Sequence, residues 1–122
     1  MNASCLAGLR VAIVEDETMI AMQIEDALLD VGCIVIGIAG MLDEALELIA
    51  REQPDAVTLD GNLAGTLSGP IAKYLDARGI PYLVITGYVE LAISDPWLAA
   101  APKLQKPFTL PSLTQAAAQH LC

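Results

Sequence analysis

Five short runs of β-branched and aliphatic residues recur along this chain, separated by segments with helical spacing. This alternation constrains the fold more than any other feature. The runs are Arg10–Val14, Ile34–Ile38, Ala56–Asp60, Tyr82–Thr86 and Lys103–Gln105. Between the first two, residues Thr18 to Val31 place Ile20, Ile24, Ala27, Leu28 and Val31 on one helical face. Thr18 is a candidate cap for that helix, and Gly32 stands where a helix end in the left-handed conformation belongs. A second helix is expected from Met41 to Glu52, with Leu42, Ala45, Leu46 and Ile49 inward, closed by Pro54. Gly61 to Gly69 reads as a glycine-rich loop, and Pro70 to Arg78 as a helix ended by Gly79. Val89 to Leu98 carries a weaker helical pattern, interrupted by Asp95-Pro96. Leu110 to Leu121 is the last helix, with Thr109 as its cap.

Strands that alternate with helices predict an α/β fold, a parallel sheet covered on both faces. The near absence of polar alternation within the runs agrees, because a strand buried on both faces has no solvent side. It also explains the composition: 55% of residues are hydrophobic and 17% charged, with almost every strand residue expected in the core. At 122 residues the chain fits one domain with its own core. Fifteen acids against six bases give a formal charge of −9, which repels phosphate backbones and anionic lipid, so neither nucleic acid nor a membrane surface is an expected partner. The longest apolar run, Cys33 to Leu42, is too short to span a bilayer, and the N-terminus has no basic region of the signal-peptide kind. Three widely spaced cysteines, Cys5, Cys33 and Cys122, predict reduced thiols in a cytoplasmic protein. The single histidine, His120, excludes a histidine-rich metal site.

Ligands of open α/β sheets bind beyond the carboxyl ends of the strands. There the first run meets Glu15-Asp16-Glu17, the third ends on Asp60, the fourth on Thr86, and the fifth is followed by Lys106. Each alone is unremarkable, since acids at strand ends are often solvated or cap helices. Their convergence on one sheet edge points to a site. Clustered carboxylates need a counter-charge, which a hard divalent cation with oxygen ligands supplies. A hydroxyl and an ammonium opposite would hold a tetrahedral oxyanion. Asp60, the central acid, is the natural nucleophile toward phosphorus, giving an aspartyl phosphate.

The ordered set Val14-Glu15-Asp16-Glu17, Leu59-Asp60, Thr86-Gly87 and Lys106-Pro107-Phe108 resembles the CheY-like receiver domains of two-component response regulators, over about residues 9–121. The resemblance implies a flavodoxin-like (βα)5 fold with strand order 2-1-3-4-5. It implies Asp60 as phosphoacceptor, and a Mg²⁺ (or Mn²⁺) site made by Asp16, by Glu15 through water, by Asp60 and by the backbone carbonyl of Asn62. Thr86 would be the switch hydroxyl and Lys106 the phosphate-binding lysine. The Lys106–Pro107 bond is commonly cis in this family, an isomer open to it because residue 107 is proline. The chain departs from the commonest pattern in two places. Leu63-Ala64 stands where a Met-Pro pair is usual, and Leu104 where an aromatic switch residue is usual. Ile85-Thr86-Gly87-Tyr88, with Asn62-Leu63 and Ser68-x-Pro70, resembles instead an atypical group of single-domain receivers named for a Phe-Ala-Thr-Gly-hydrophobic-Tyr motif, although Val84-Ile85 replaces Phe-Ala. Gly87 and Tyr88 are therefore candidates for a switch loop.

The resemblance implies a stand-alone receiver of residues 1–122 without an output domain. It would be a cytoplasmic phosphorelay component and not an enzyme, one that assists its own phosphotransfer and dephosphorylation. Its phosphoryl donor would be a histidine kinase or a histidine phosphotransfer protein. It would signal to a downstream protein, as a monomer or as a weak homodimer through the face of the fourth helix, fifth strand and fifth helix. Two other classes compete. Phosphatases with an aspartyl-phosphate intermediate commonly carry a second aspartate where Asn62 stands, and a nucleotide-binding module would need glycines where Glu15, Asp16 and Glu17 stand. A degenerate receiver that only binds would lack a pocket residue, and none of the expected types is missing. Trp97 reads as a packing residue, His120 as part of a helix end, and Glu17 as an acid favoured by a helix N-terminus.

Overall fold

A computed structural model describes residues 3–87 and 94–122. A 3₁₀ turn (Ala3–Leu6) leads into β1 (Arg10–Val14), α1 (Thr18–Asp30), β2 (Ile34–Ala39), α2 (Leu42–Glu52) and β3 (Ala56–Leu59). Two two-residue strands follow, β4 (Asn62–Leu63) and β5 (Thr66–Leu67), then α3 (Gly69–Arg78) and β6 (Tyr82–Thr86). The chain closes with a short helix α4 (Pro96–Ala99), β7 (Lys103–Gln105) and α5 (Leu110–His120).

The five expected runs form one sheet in the order β2-β1-β3-β6-β7, with every pairing parallel. With β6 and β7 as the fourth and fifth strands, this is the flavodoxin-like arrangement. Alternate side chains feed two cores. Ala12, Val14, Val57, Leu59 and Val84 pack with Ala45, Ile49, Ile71 and Leu75 of α2 and α3. Val11, Ile13, Ala56, Leu83 and Ile85 pack with Ile24, Leu28, Leu113 and Ala117 of α1 and α5. Central strands β1, β3 and β6 are buried on both faces, which is why they read as unbroken apolar runs.

Several expectations need correction. Not every strand residue is core: β2 lies at the sheet edge, where Ile34 is 51% and Ile38 41% exposed. Thr18 does not cap α1; Glu17 takes the N-cap position without a side-chain cap bond, and Thr18 is the first helical residue. The glycine-rich stretch contains an antiparallel pair, Asn62 opposite Leu67 and Leu63 opposite Thr66, turned through Ala64 (φ 50°) and Gly65 (φ 94°). Positive φ at both central residues gives a backbone twist matched to that of the flanking strands. The helical pattern before β7 resolves into α4, which begins at Pro96 because Asp95 caps it, accepting from the Trp97 and Leu98 amides at 2.8 and 3.3 Å. Tyr88 and residues 89–93 of the expected fourth helix lie outside the described residues. Thr109 does cap α5, in a reciprocal pair with Ser112.

The expectation of three reduced thiols also fails. Cys5 and Cys122 are joined by a disulfide that ties the 3₁₀ turn to the end of α5, and only Cys33, which is buried, is free. Two cysteines 117 positions apart carry no local signal of pairing; they meet because the first and last segments of the chain flank the same core.

Candidate functional site

The carboxyl ends of β1, β3 and β7 are held level by main-chain bonds that continue each strand by one residue. The Glu15 amide donates to Ala39 at 2.9 Å, the Asp60 amide to Val14 at 2.8 Å, and the Lys106 amide to Thr86 at 2.9 Å. These three bonds bring Glu15, Asp60 and Lys106 to one point. Lys106 Nζ lies 2.7 Å from Glu15 Oε1 and 3.2 Å from Asp60 Oδ2. All three side chains are nearly closed off from solvent, at 12%, 1% and 5% exposure.

The remaining carboxylate oxygens are held by backbone amides. The Glu17 amide donates to Glu15 Oε2 at 3.1 Å, and the Asn62 amide to Asp60 Oδ1 at 3.1 Å. Asn62 Oδ1 in turn accepts from the Gly65 amide at 2.8 Å across the hairpin turn. Asp16 is more open, at the rim, and offers an oxygen within 4.8 Å of ligand oxygens of Glu15 and Asp60. Thr86 is fully buried at the end of β6, and a Cβ added at Gly61 would lie 3.4 Å from its Oγ1. Gly87 lies beside the stem of Lys106, and the Lys106–Pro107 peptide bond is cis. A cavity of about 680 Å³ opens above the cluster, lined by Asp16, Asp60, Asn62 and Lys106 and on its apolar side by Ile20 and Phe108.

Electrostatics follow from burial. Glu15 is pushed up to about 7, first by burial and then by its hydrogen bond to Asp60, with Lys106 pulling the other way. Burial also raises Asp60, against the Asn62 amide and the Lys106 ammonium, which favour its charged form. Burial pulls the Lys106 ammonium down, but the Glu15 and Asp60 carboxylates outweigh that and hold it above the ordinary lysine value. One ammonium facing three carboxylates leaves an acidic excess. Three convergent hard oxygen donors on rigid strand ends suit a divalent cation such as Mg²⁺, which takes one or two carboxylates together with phosphate and water.

Sequence reasoning placed Glu15, Asp16, Asp60, Asn62, Thr86, Gly87 and Lys106 at this edge, and the structure brings them together. Tyr88 lies outside the described residues. One residue was given no role beforehand. Ser68, fully buried, donates from Oγ to the Asp60 carbonyl at 2.6 Å and from its amide to the Gly61 carbonyl at 3.0 Å. Its only signal in the sequence is its place in the Ser68-x-Pro70 pattern.

Residues 11–118 match the family model described as response regulator receiver domain. The transcriptional regulatory protein PdtaR of Mycobacterium tuberculosis is 30% identical over 118 residues, 94% of this chain and 58% of PdtaR, so the chain spans little more than half of that relative. The solution structure of SdrG from Sphingomonas melonis Fr1 is 36% identical with a TM-score of 0.79, covering 97% of each chain. The receiver domain of the PhyR response regulator from Erythrobacter litoralis is 28% identical with a TM-score of 0.83, covering 94% of this chain and 91% of that one. A parallel sheet in this strand order, an acidic edge closed by a lysine, and a family match over nearly the whole length agree: the chain belongs to the response regulator receiver domain family.

Proposed function

We propose that this receiver accepts a phosphoryl group on Asp60 from a phosphohistidine and signals through contacts that depend on that modification. The contact of Lys106 Nζ with both buried carboxylates, 2.7 Å to Glu15 and 3.2 Å to Asp60, carries the reading. It sets a cation where an oxygen of the incoming group would sit, beside the central carboxylate, Asp60, whose other oxygen is already fixed by the Asn62 amide. An Asp60 oxygen attacks phosphorus, the P–N bond of the donor breaks, and its electron pair stays on the imidazole nitrogen, which takes up a proton. Nothing is oxidised or reduced. Asp16, Asp60 and the Asn62 carbonyl would hold Mg²⁺ (or Mn²⁺), with Glu15 reaching it through water. When bound, the ion neutralises charge on the transferring group. Lys106 and the Thr86 hydroxyl would receive the phosphoryl oxygens, and Gly87 and Tyr88 would form the switch loop.

The donor would be a histidine kinase or a histidine phosphotransfer protein. The response would pass to a downstream protein, or to a second copy in a weak homodimer, through the face of α4, β7 and α5. A place in the cytoplasm completes the proposal. Among the described residues, no helix is long and apolar enough to cross a membrane.

The test is labelling by acetyl phosphate and by a phosphohistidine donor, each with Mg²⁺, followed by intact-mass analysis. One base-labile phosphoryl group is expected, absent in Asp60→Asn. Labelling that survives this substitution refutes the assignment.

A further inference from the structure

We propose that Cys5 and Cys122 form a reversible thiol–disulfide modification site, exchanged with low-molecular-weight disulfides of the glutathione type, that clamps α5 to the N-terminal turn. Three observations meet here. The two α-carbons lie 6.0 Å apart, within the span a disulfide bridges without backbone movement. Both residues are exposed, so a small thiol or disulfide can reach either sulfur, whereas Cys33 is 4% exposed and burial raises its thiol pKa. The two ends are also brought together independently of the bond. Leu6 is fully buried against Leu113, Ala117 and Leu121, and the Gly8 amide donates to Gly32 at 2.8 Å. The reduced thiols therefore remain neighbours, and closing the bond requires no refolding.

The exchange balances in two steps. The thiolate of one cysteine attacks the small disulfide, forming a mixed disulfide and releasing one small thiolate. The second cysteine then attacks the protein sulfur of that mixed disulfide, forming Cys5–Cys122 and releasing the second. Two protein thiols are oxidised, and one small disulfide is reduced to two thiols. In a cytoplasmic protein, the location proposed above, disulfides are usually transient and redox-sensing, which favours a reversible role over a permanent staple. What the bond holds is specific. α5 follows the Lys106–Pro107–Phe108 turn and stops two residues before Cys122, and β1, which follows the N-terminal turn, stops one residue before Glu15. Oxidation thus ties the segment before β1 to the segment after α5, the two elements whose opposite ends adjoin Glu15 and the Lys106–Pro107–Phe108 turn.

The experiment equilibrates the full chain at a series of reduced-to-oxidised glutathione ratios, traps free thiols by alkylation, and reads intact mass and thermal unfolding. Cys5 and Cys122 are expected to become protected together in a monomer, while Cys33 is alkylated only after denaturation. The oxidised form should melt about 10 °C or more above the reduced form. Cys5→Ser and Cys122→Ser should each abolish that shift, and Cys33→Ser should keep it. Glutathione adducts on the separate cysteines, disulfide-linked dimers, or a closed bond with no change in melting would each overturn the proposal. None of these readouts involves Asp60, so failure of phosphorylation and failure of the redox site are told apart.

Discussion

Ser68 Oγ donates a 2.6 Å hydrogen bond to the main-chain carbonyl of Asp60, and neither residue is more than 4% exposed. Because the Ser68 amide also holds the Gly61 carbonyl, the start of α3 is tied to the two successive carbonyls that follow the central carboxylate. Removing the hydroxyl leaves a buried carbonyl without this donor, a loss of about 1–3 kcal/mol. Ser68→Ala is expected to lower the urea midpoint accordingly and to slow labelling of Asp60 by acetyl phosphate. Labelling at the wild-type rate in a destabilised variant would show that the bond supports the fold alone.

Gly69, the next residue, is pressed against the Asp95 carboxylate so closely that an added Cβ would collide with it. The contact joins the start of α3 to the cap of α4, and Lys73 sits 6.0 Å above the Trp97 ring along the same seam. Gly69→Ala should cost about 1–3 kcal/mol by overpacking. In an Asp95→Ala background, where the obstructing carboxylate is gone, the added cost of Gly69→Ala should shrink. A double-mutant cycle from chemical denaturation measures this coupling. Additive losses would place the strain elsewhere.

The Lys106 ammonium is the cation that both buried carboxylates share. Breaking a buried charge pair by removing one partner leaves an uncompensated charge, with a cost of about 3–5 kcal/mol. Lys106→Met keeps the stem and removes the charge, so a loss of that order is expected in metal-free protein. Adding Mg²⁺ should recover part of it, since an ion bound only by the folded state stabilises that state. Denaturation with and without Mg²⁺ provides the check; an equal loss under both conditions would argue against the metal-binding role of these acids.

The acidic edge was legible because each of its residues ends or directly follows an apolar run, so strand assignment alone fixed where the side chains emerge. The α5 cap was legible from its own residues, whereas the sheet order followed from the receiver resemblance and not from the runs themselves. What escaped was non-local or lacked a residue-type signal. Ala64 at φ 50° turns the β4–β5 hairpin where asparagine or glycine would have announced it. The exposure of Ile34 and Ile38 depends on β2 lying at the edge, which their own apolar character does not reveal. The Ser68 bond spans the hairpin, and the Cys5–Cys122 bond spans almost the whole chain.

At the amino end of β6, away from the site's edge, the Tyr82 hydroxyl donates to Asp76 Oδ2 at 3.1 Å. Burial, and then the neighbouring Asp76 charge, pushes the phenol from its ordinary 10.0 up to about 12. The folded state therefore keeps this proton after the unfolded chain has begun to lose it. The resulting stabilisation is fully present below the unfolded value of 10.0 and is lost as pH rises from there through about 12. Tyr82→Phe cannot ionise, so it should lose about 1 kcal/mol at neutral pH with the hydrogen bond, yet show a shallower decline in alkali. Urea denaturation of both proteins at neutral pH and at about pH 11 measures the two slopes. Parallel declines would mean that another group governs the alkaline limb.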